Sequence, residues 1–127
     1  MIIGYITIGA RDSEESGRFY DSVLGICGYE RKFADGGWVG YGPAGRDEHD
    51  IYICPPHNKQ PPTFGNGMMV AFRVRSRASV EAAYHAGLSS GGTDEGAPGY
   101  RPPEKQTWYG AYLRDPVGNK IAIYFTP

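Results

Sequence analysis

The sequence has few cysteines and histidines, no marked excess of charge and no long hydrophobic run. Its two cysteines, Cys27 and Cys54, match no metal-binding or redox spacing, which favours two free, buried thiols. A formal net charge of −1 gives no electrostatic reason to expect binding to nucleic acid or to an anionic membrane. No apolar segment is long enough to span a bilayer, and the opening residues lack the pattern of a secretory signal. We therefore expect a cytoplasmic protein.

Familiar catalytic motifs are also missing. The chain contains no nucleophile elbow, no phosphate-binding loop and no dinucleotide fingerprint. The three histidines, His49, His57 and His85, fall in predicted loops or on a helix, where such side chains are usually solvated. His49 and Asp50 could form an acid–base or metal site at a rim, but adjacent residues of a strand point to opposite faces. The catalytic residues are therefore unassigned from the sequence.

A duplicated plan is the strongest positive signal. Residues 4–24 align with residues 68–88 at a constant offset of 64, so that Ile6 falls on Val70 and Tyr20 on Tyr84. Each window reads as a short alternating strand that runs into an amphipathic helix. A helix-capping residue lies at each transition from strand to helix, Asp12 in the first window and Ser76 in the second.

The remaining pattern completes two βαβββ units within one domain of 127 residues. The predicted strands are 3–10, 29–33, 38–41, 51–54, 68–74, an irregular one around Tyr100, 108–114 and 120–125. Helices are predicted from Asp12, with Glu15 completing a capping box and Gly25 ending the helix, and from Ser76 to Leu88. Module 1 covers residues 1–56 and module 2 covers residues 67–127, joined by a proline-rich linker at 57–66.

This plan, together with TIGARDSEESGRFYDSVLG near the start and YLRDPVGNKIAIYF near the end, resembles the glyoxalase/bleomycin-resistance/extradiol-dioxygenase superfamily, the vicinal oxygen chelate proteins. The resemblance covers nearly the whole chain. It implies an α+β fold in which tandem βαβββ modules form an open, cup-shaped mixed-sheet barrel around a small molecule. It also implies a homodimer, as is common in the family.

The resemblance further implies a divalent metal held by His, Gln or Glu on strands that face the cup. Here those positions carry Tyr5, Met69 and Ala122, and the strand 51–54 has no carboxylate, although Asp50 borders it. These residue types cannot form a hard nitrogen and oxygen site. We expect no metal ligands and no cofactor, and a divalent metal only if the protein is an enzyme with a non-standard site.

Strand alternation predicts which side chains line the cup. If Ile6 and Ile8 face the helices, the intervening residues face the cup, and the same parity applies to the later strands. Arg101 lies on a loop that family members fold near the cup, where a guanidinium could bind a carboxylate or phosphate, or remain solvated. Trp38 and Tyr41 are expected at the mouth of the cup or in a dimer contact. The predicted ligand-binding residues are Tyr5, Thr7, Tyr52, Met69, Arg101, Trp108, Tyr112 and Tyr124.

Two functions remain open at this point. The first is a metal-independent aromatic cup that binds a small hydrophobic or aromatic molecule, as in the bleomycin-resistance branch. The second is a lyase, isomerase or dioxygenase of the superfamily that acts on a small oxygenated metabolite. The tyrosines could instead fill the barrel and leave little cavity. The expected partners are a small-molecule ligand and a second copy of the chain, without nucleic acid or membrane.

Overall fold

The computed structural model describes residues 2–127 and contains two βαβββ units, as the duplication predicts. The first unit consists of β1 (Ile6–Gly9), α1 (Ser13–Ile26), β2 (Tyr29–Asp35), β3 (Trp38–Pro43) and β4 (Ile51–Cys54). The second consists of β5 (Val70–Arg73), α2 (Arg77–Ser89), β6 (Thr93–Tyr100), β7 (Tyr109–Arg114) and β8 (Lys120–Phe125). Position 1, the predicted start of module 1, lies outside the described residues. No helix within residues 2–127 is long and apolar enough to cross a membrane.

Each unit forms its own four-stranded mixed sheet, with strand order β1-β4-β3-β2 in the first and β5-β8-β7-β6 in the second. The first and last strands of each unit pair in parallel, and the hairpins pair antiparallel. Strands β1 and β5 are edge strands with a single partner each. The sheets do not close into a barrel, and the two open mixed sheets with their helices form the α+β arrangement that the resemblance implies.

Both helices begin at the predicted capping residues. The Asp12 carboxylate accepts hydrogen bonds from the backbone N–H groups of Glu14 and Glu15, and the Ser76 hydroxyl accepts one from Ser79. The capping box itself is only half formed. The Glu15 carboxylate contacts Arg11 at 2.6 Å instead of returning to the backbone of the capping residue.

The predicted end of α1 is wrong. The helix does not stop at Gly25 but continues to Ile26, and Gly28 takes the positive φ of +87° that turns the chain into β2. Gly25 can remain helical because it is solvent-exposed, so that no packing contact is lost. The cost of glycine there is only its low intrinsic helix propensity. A glycine stops a helix only where the backbone turns left-handed.

Strands β1 and β5 are shorter than the alternating pattern predicts. Residues 3–5 extend beyond the ladder because β4 offers only four residues, which pair with Ile6–Gly9. β5 likewise begins at Val70, so Met68 and Met69 precede it. The strand around Tyr100 is irregular, as predicted, with register shifts on both sides of Gly96.

One hydrophobic core joins the two units. Helix α1 packs on the first sheet, α2 packs on the second, and the two helices pack against each other. Ile8, Val39 and Ile53 point into this core from the first sheet, and Leu113 and Ile123 do so from the second. The strand parity predicted from the sequence is therefore confirmed, and the opposite face of each sheet is left for a site.

Tyr41 is not at the mouth of a cup. It is fully buried, and its hydroxyl contacts the backbone oxygen of Gly17 at 3.1 Å and the Asp21 carboxylate at 2.7 Å. Because Tyr41 alternates with Gly40 and Gly42 on β3, its side chain belongs to the helix-covered face. Trp38, in contrast, is 40% exposed on the other face.

Candidate functional site

The faces of the two sheets that do not contact the helices each carry a cluster of aromatic rings. We call them face 1 and face 2. Face 1 consists of Tyr5, Phe33, Trp38 and Tyr52, and face 2 consists of Trp108, Tyr112 and Tyr124. Among residues 2–127, no ring of one face contacts a ring of the other. Each face is therefore a separate half-site within one chain.

Tyr52 is the centre of face 1. Its ring lies 5.3 Å from that of Tyr5 in an edge-to-face arrangement, 5.7 Å from Trp38 and 6.0 Å from Phe33. These centroid separations fall in the range in which aromatic pairs attract. Gly40 lies directly opposite Tyr52 in the ladder, and a side chain there would collide with the Phe33 ring.

Trp108 is the centre of face 2. Its ring stacks on Tyr124 at 5.6 Å with an interplanar angle of 8° and on Tyr112 at 5.8 Å with an angle of 23°. The indole lies flat over Gly110, and a Cβ at that position would meet its six-membered ring. Glycine is therefore required for Trp108 to cross its own strand and reach Tyr124.

The two faces repeat one local arrangement. In each sheet a Trp-x-Gly sequence, Trp38–Gly40 at the start of β3 or Trp108–Gly110 running into β7, places glycine opposite a tyrosine of the fourth strand. The tryptophan contacts that tyrosine in both cases. When the two sheets are matched through their parallel strand pairs, Tyr52 of β4 corresponds to Ala122 of β8. The tyrosine of the second arrangement, Tyr124, therefore lies two residues further along its strand. An even displacement keeps the side chains on the same face.

Hydrogen bonding divides the ten tyrosines into three groups. Five donate to carboxylates, and Tyr100 accepts from Arg77. The carboxylate pairs are Tyr20–Asp115, Tyr29–Asp50, Tyr41–Asp21, Tyr84–Asp94 and Tyr109–Glu81. The four tyrosines of the two faces, Tyr5, Tyr52, Tyr112 and Tyr124, make no hydrogen bond through their hydroxyls to any of residues 2–127. Their hydroxyls remain available to a ligand.

The paired tyrosines are held in the neutral form. Burial, with Asp115 beside it, raises the pKa of Tyr20 well above its ordinary value. Burial and Asp50 raise the pKa of Tyr29 to about 12, and burial and Asp21 raise the pKa of Tyr41. Such hydroxyls serve as hydrogen-bond donors to structural carboxylates and not as proton acceptors near neutral pH.

The positions at which the resemblance implies metal ligands do not fit a divalent ion. Tyr5 and Tyr52 fill the first-module positions with two rings in mutual contact. Met69 is 40% exposed and offers a thioether, and Ala122 is fully buried and offers no donor. Within residues 2–127, no three side chains among His, Cys, Asp and Glu lie together as a metal cluster. This donor set does not suit a hard divalent metal.

Arg101 is held by the protein itself. Its guanidinium donates to the backbone carbonyls of Ala97, Gly99 and Gly110 and lies 4.9 Å from the centre of the Tyr112 ring. The side chain therefore joins the irregular strand β6 to β7 and is neither a solvated loop residue nor a free bidentate anion clamp. Lys120, which the sequence analysis did not select, lies 5.0 Å from the same ring.

Neither cysteine is prepared for nucleophilic chemistry. Burial raises the pKa of Cys27 to about 12 and also raises the pKa of Cys54. The His49 ring packs on Phe33 at the border of face 1, at 5.5 Å. Asp50 accepts a hydrogen bond from Tyr29. His49 and Asp50 thus have separate structural contacts and do not form an acid–base pair.

Two cavities border strand β1. One, of about 210 Å³, is lined by residues of β1, β5 and β8, among them Thr7 and Lys120, and by Phe64 of the linker segment. A more open cavity of about 650 Å³ is lined by Trp38, Cys54 and His57. Thr7 lines both. Face 1 therefore adjoins enough space for a small ligand.

The eight predicted binding residues divide between the modules. Tyr5, Thr7 and Tyr52 belong to face 1 or its cavity, while Trp108, Tyr112, Tyr124 and Arg101 lie on face 2. Met69 precedes β5 and lies outside the strand. Phe33 and Lys120 were not predicted, and Trp38 was expected at the mouth of the cup or in a dimer contact and not among the binding residues. The repeated Trp-x-Gly would have identified Trp38, whereas Phe33 needed the register of β2.

The sequence and the fold agree on one family. Residues 2–123 match the family model of the Glyoxalase/Bleomycin resistance protein/Dioxygenase superfamily. The protein therefore belongs to this superfamily. Among curated proteins, no sequence matches the chain.

Solved structures support the same assignment. A glyoxalase/bleomycin resistance protein from Albidiferax ferrireducens T118 is 35% identical, with a TM-score of 0.87 and full coverage of both chains. A glyoxalase-related enzyme from Fulvimarina pelagi is 23% identical, with a TM-score of 0.78 over 98% of this chain and 88% of that one. A family enzyme from Burkholderia phytofirmans PsJN is 18% identical, with a TM-score of 0.73 over 98% of both chains. The last two show the fold alone.

Proposed function

We propose that this protein binds a small planar aromatic molecule on its aromatic faces without a metal ion. The observation that carries the proposal is the division of the tyrosines. Every tyrosine of the core or the helix surfaces has a hydrogen-bond partner, whereas the four on faces 1 and 2 have uncommitted hydroxyls. Both tryptophans lie on the same two faces. Such surfaces combine stacking area with polar groups that can orient a ligand.

We also propose that a homodimer completes the cup. Faces 1 and 2 do not meet within one chain, so a ligand enclosed by both requires a second copy. Exposed apolar side chains are concentrated just before the edge strands β1 and β5, which supports such an association. These side chains are Ile2, Ile3, Tyr5, Met68 and Met69.

The alternative function is an enzyme of the superfamily. Family membership supports it, but metal-dependent turnover needs a ligand set that the corresponding positions do not offer. The aromatic faces supply stacking and hydrogen bonds and do not require chemistry on the ligand. Binding without turnover is therefore the function that these residues favour.

Titration of the intrinsic tryptophan fluorescence tests the proposal, because each face contains one of the two tryptophans. We expect a neutral planar probe, 2-naphthamide, to quench the fluorescence saturably, whereas the non-planar cyclohexanecarboxamide does not. Tyr124→Leu should weaken binding about tenfold through lost stacking. Tyr29→Phe, which alters a tyrosine outside both faces, should not weaken it. Absence of saturable quenching would reject the aromatic cup.

Light scattering on a sizing column tests the dimer. We expect a mass of twice 13.9 kDa for the wild-type protein. Met69→Lys, which adds a charge beside β5, should shift the mass toward the monomer, and Met69→Leu should not. A monomeric wild-type protein that still binds 2-naphthamide would reject the shared cup and retain the half-sites.

A further inference from the structure

We propose that face 2 selects ligands in which a planar ring carries a negative charge, the class of the aromatic carboxylates. This inference rests on the proposed function, since it specifies the ligand of the same site. Its basis is the arrangement of Lys120 and Arg101 around the Tyr112 ring. Face 1 shows no such arrangement.

Two cations lie against one ring of face 2. The Lys120 ammonium is 5.0 Å and the Arg101 guanidinium carbon 4.9 Å from the centre of Tyr112. Each is attracted by the negative π face of the ring. The two charges are close enough to repel each other, because both lie within 5.0 Å of the same ring centre and their separation is therefore at most comparable with the screening length of physiological salt, about 8 Å. An anion held beside this ring would relieve that repulsion.

The carboxylates of strand β6 contact residues other than Lys120 and Arg101. Neither Lys120 nor Arg101 takes part in an ion pair within residues 2–127. Glu95, the nearest acid on β6, pairs with Arg114 at 3.1 Å. Asp94 accepts from Tyr84 instead. Lys120 and Arg101 are thus left without a carboxylate in direct contact within residues 2–127, and Glu95 acts on Lys120 only at longer range.

A third cation increases the local potential. Arg114 lies directly opposite Lys120 in the β7–β8 ladder, a like-charge pairing that is unfavourable by itself. Glu95 forms an ion pair with Arg114 and interacts with Lys120 only at longer range. Asp115, which follows Arg114, is buried and bound by Tyr20 and Asn119. The edge of face 2 therefore carries three cations beside one surface carboxylate.

Lys120 is the group that can bind the anion directly. Three backbone carbonyls occupy the Arg101 guanidinium, so that side chain contributes mainly its charge. The Lys120 ammonium makes no hydrogen bond within residues 2–127 and keeps its donors for a ligand. A ring stacked on face 2 would place a carboxylate at its edge within reach of this ammonium.

Face 1 has a different electrostatic character. Within residues 2–127, no Lys or Arg lies over its rings, and the His49 ring packs on Phe33. Lys32, on the adjacent strand, is paired with Glu30 at 2.8 Å. Both faces thus carry aromatic rings, but within residues 2–127 it is face 2 that has cations over one of its rings.

Isothermal titration with two isosteric probes tests the inference. 2-Naphthoate carries a carboxylate at pH 7, and 2-naphthamide has the same shape without charge. We expect the wild-type protein to bind naphthoate about ten times more tightly, the effect of one hydrogen bond to a charged group. The preference should shrink when salt is raised, because the pair is partly exposed.

Variants then locate the preference. Lys120→Gln should bring naphthoate down to the affinity of naphthamide and leave naphthamide unchanged. Lys105→Gln, which makes the same charge change in an exposed loop of the same module, should preserve the preference. Trp38→Phe, which alters face 1, should also preserve it.

Each outcome separates this inference from the proposed function. If both probes bind equally to the wild-type protein, the anion selectivity is wrong and the aromatic cup stands. If the wild-type protein prefers naphthoate but Lys120→Gln keeps that preference, the assignment of the selectivity to Lys120 on face 2 is wrong and the aromatic cup stands. If neither probe binds, the proposed function itself is wrong. Loss of the preference in Trp38→Phe, with Lys120→Gln unaffected, would assign it to face 1 and overturn the inference.

Discussion

The hydroxyl of Tyr20 donates a hydrogen bond of 2.7 Å to Oδ2 of Asp115, and both residues are buried. The other carboxylate oxygen of Asp115 accepts from the backbone N–H groups of Val117 and Asn119, and the Asn119 amide also contacts the carbonyl of Gly9. The phenylalanine-tyrosine-aspartate segment of α1 and the DPVGN turn are therefore one structural unit. The two sequence segments that carried the family resemblance contact each other.

Tyr20→Phe should lower the free energy of unfolding by about 2 kcal/mol, because it leaves the buried Asp115 carboxylate without one of its donors. Urea denaturation measures the change. Tyr84→Phe is the matched control, since its hydroxyl contacts Asp94, an exposed carboxylate that water can solvate. Equal losses of unfolding free energy in the two variants would mean that the buried Tyr20–Asp115 hydrogen bond stabilises the protein no more than the exposed one.

Stability should fall at alkaline pH. Free tyrosine has a pKa of about 10, and the pKa values of Tyr20, Tyr29 and Tyr41 are raised in the folded protein. A raised pKa in the folded state stabilises the protein fully below the pKa of the unfolded chain. That contribution is lost as the pH rises through the folded value, which for Tyr29 is about 12.

Absorbance at 295 nm, with urea denaturation at pH 8 and pH 10.5, checks this dependence. We expect only part of the ten tyrosines to ionise before the protein unfolds, and a lower unfolding free energy at the higher pH. Tyr29→Phe should make the decline shallower. Ionisation of all tyrosines with the native circular dichroism retained would contradict the assignment.

Gly110→Ala should displace Trp108 from its stack on Tyr124. The new methyl group would occupy the space of the indole ring, at a cost of about 1–3 kcal/mol in stability. Near-ultraviolet circular dichroism should report the loss of the stacked pair. Gly99→Ala, on the neighbouring strand, has no atom within 4 Å of the new carbon and is the control. An unchanged spectrum in Gly110→Ala would show that the ring is not held against the strand.

Removal of divalent metal should leave the protein unaltered. The family positions carry Tyr5, Met69 and Ala122, which offer no hard ligand set. We expect elemental analysis of the purified protein to find far less than one metal ion per chain, and EDTA to leave the melting temperature unchanged. Stoichiometric metal, or stabilisation by nickel, zinc, manganese or ferrous ions, would restore the enzyme alternative.

Much of the fold was predictable because it depends on local patterns. Residues close together in the chain were enough to predict the capping residues, the turn after Arg114 and the face of each sheet to which strand residues point. The structure confirms these predictions. The end of α1 was missed because the conformation of the backbone at Gly25 depends on where the chain must turn. The length of β1 was predicted incorrectly because it is limited by β4, whose four residues pair with Ile6–Gly9.

The composition of the site was less predictable. The alternation of side chains along each strand identified the residues of the two faces. It did not identify which rings are in contact, because ring contacts depend on strand register and on glycines that let the rings lie flat on the sheet. Arg101 was selected as an anion ligand from its position in a loop. Its three carbonyl partners come from a cross-strand geometry that no local pattern encodes.

The sequence by itself determined the duplicated βαβββ plan, the helix starts and the side of each sheet on which each side chain lies, because these follow from spacing and backbone chemistry. Only the tertiary structure decided the pairing of Tyr20 with Asp115, the separation of the aromatic rings into two faces and the position of Lys120 beside Tyr112. These relationships join residues that are distant in the chain or on different strands. They exist only once the strands have paired in their native register and the helices have packed on the sheets.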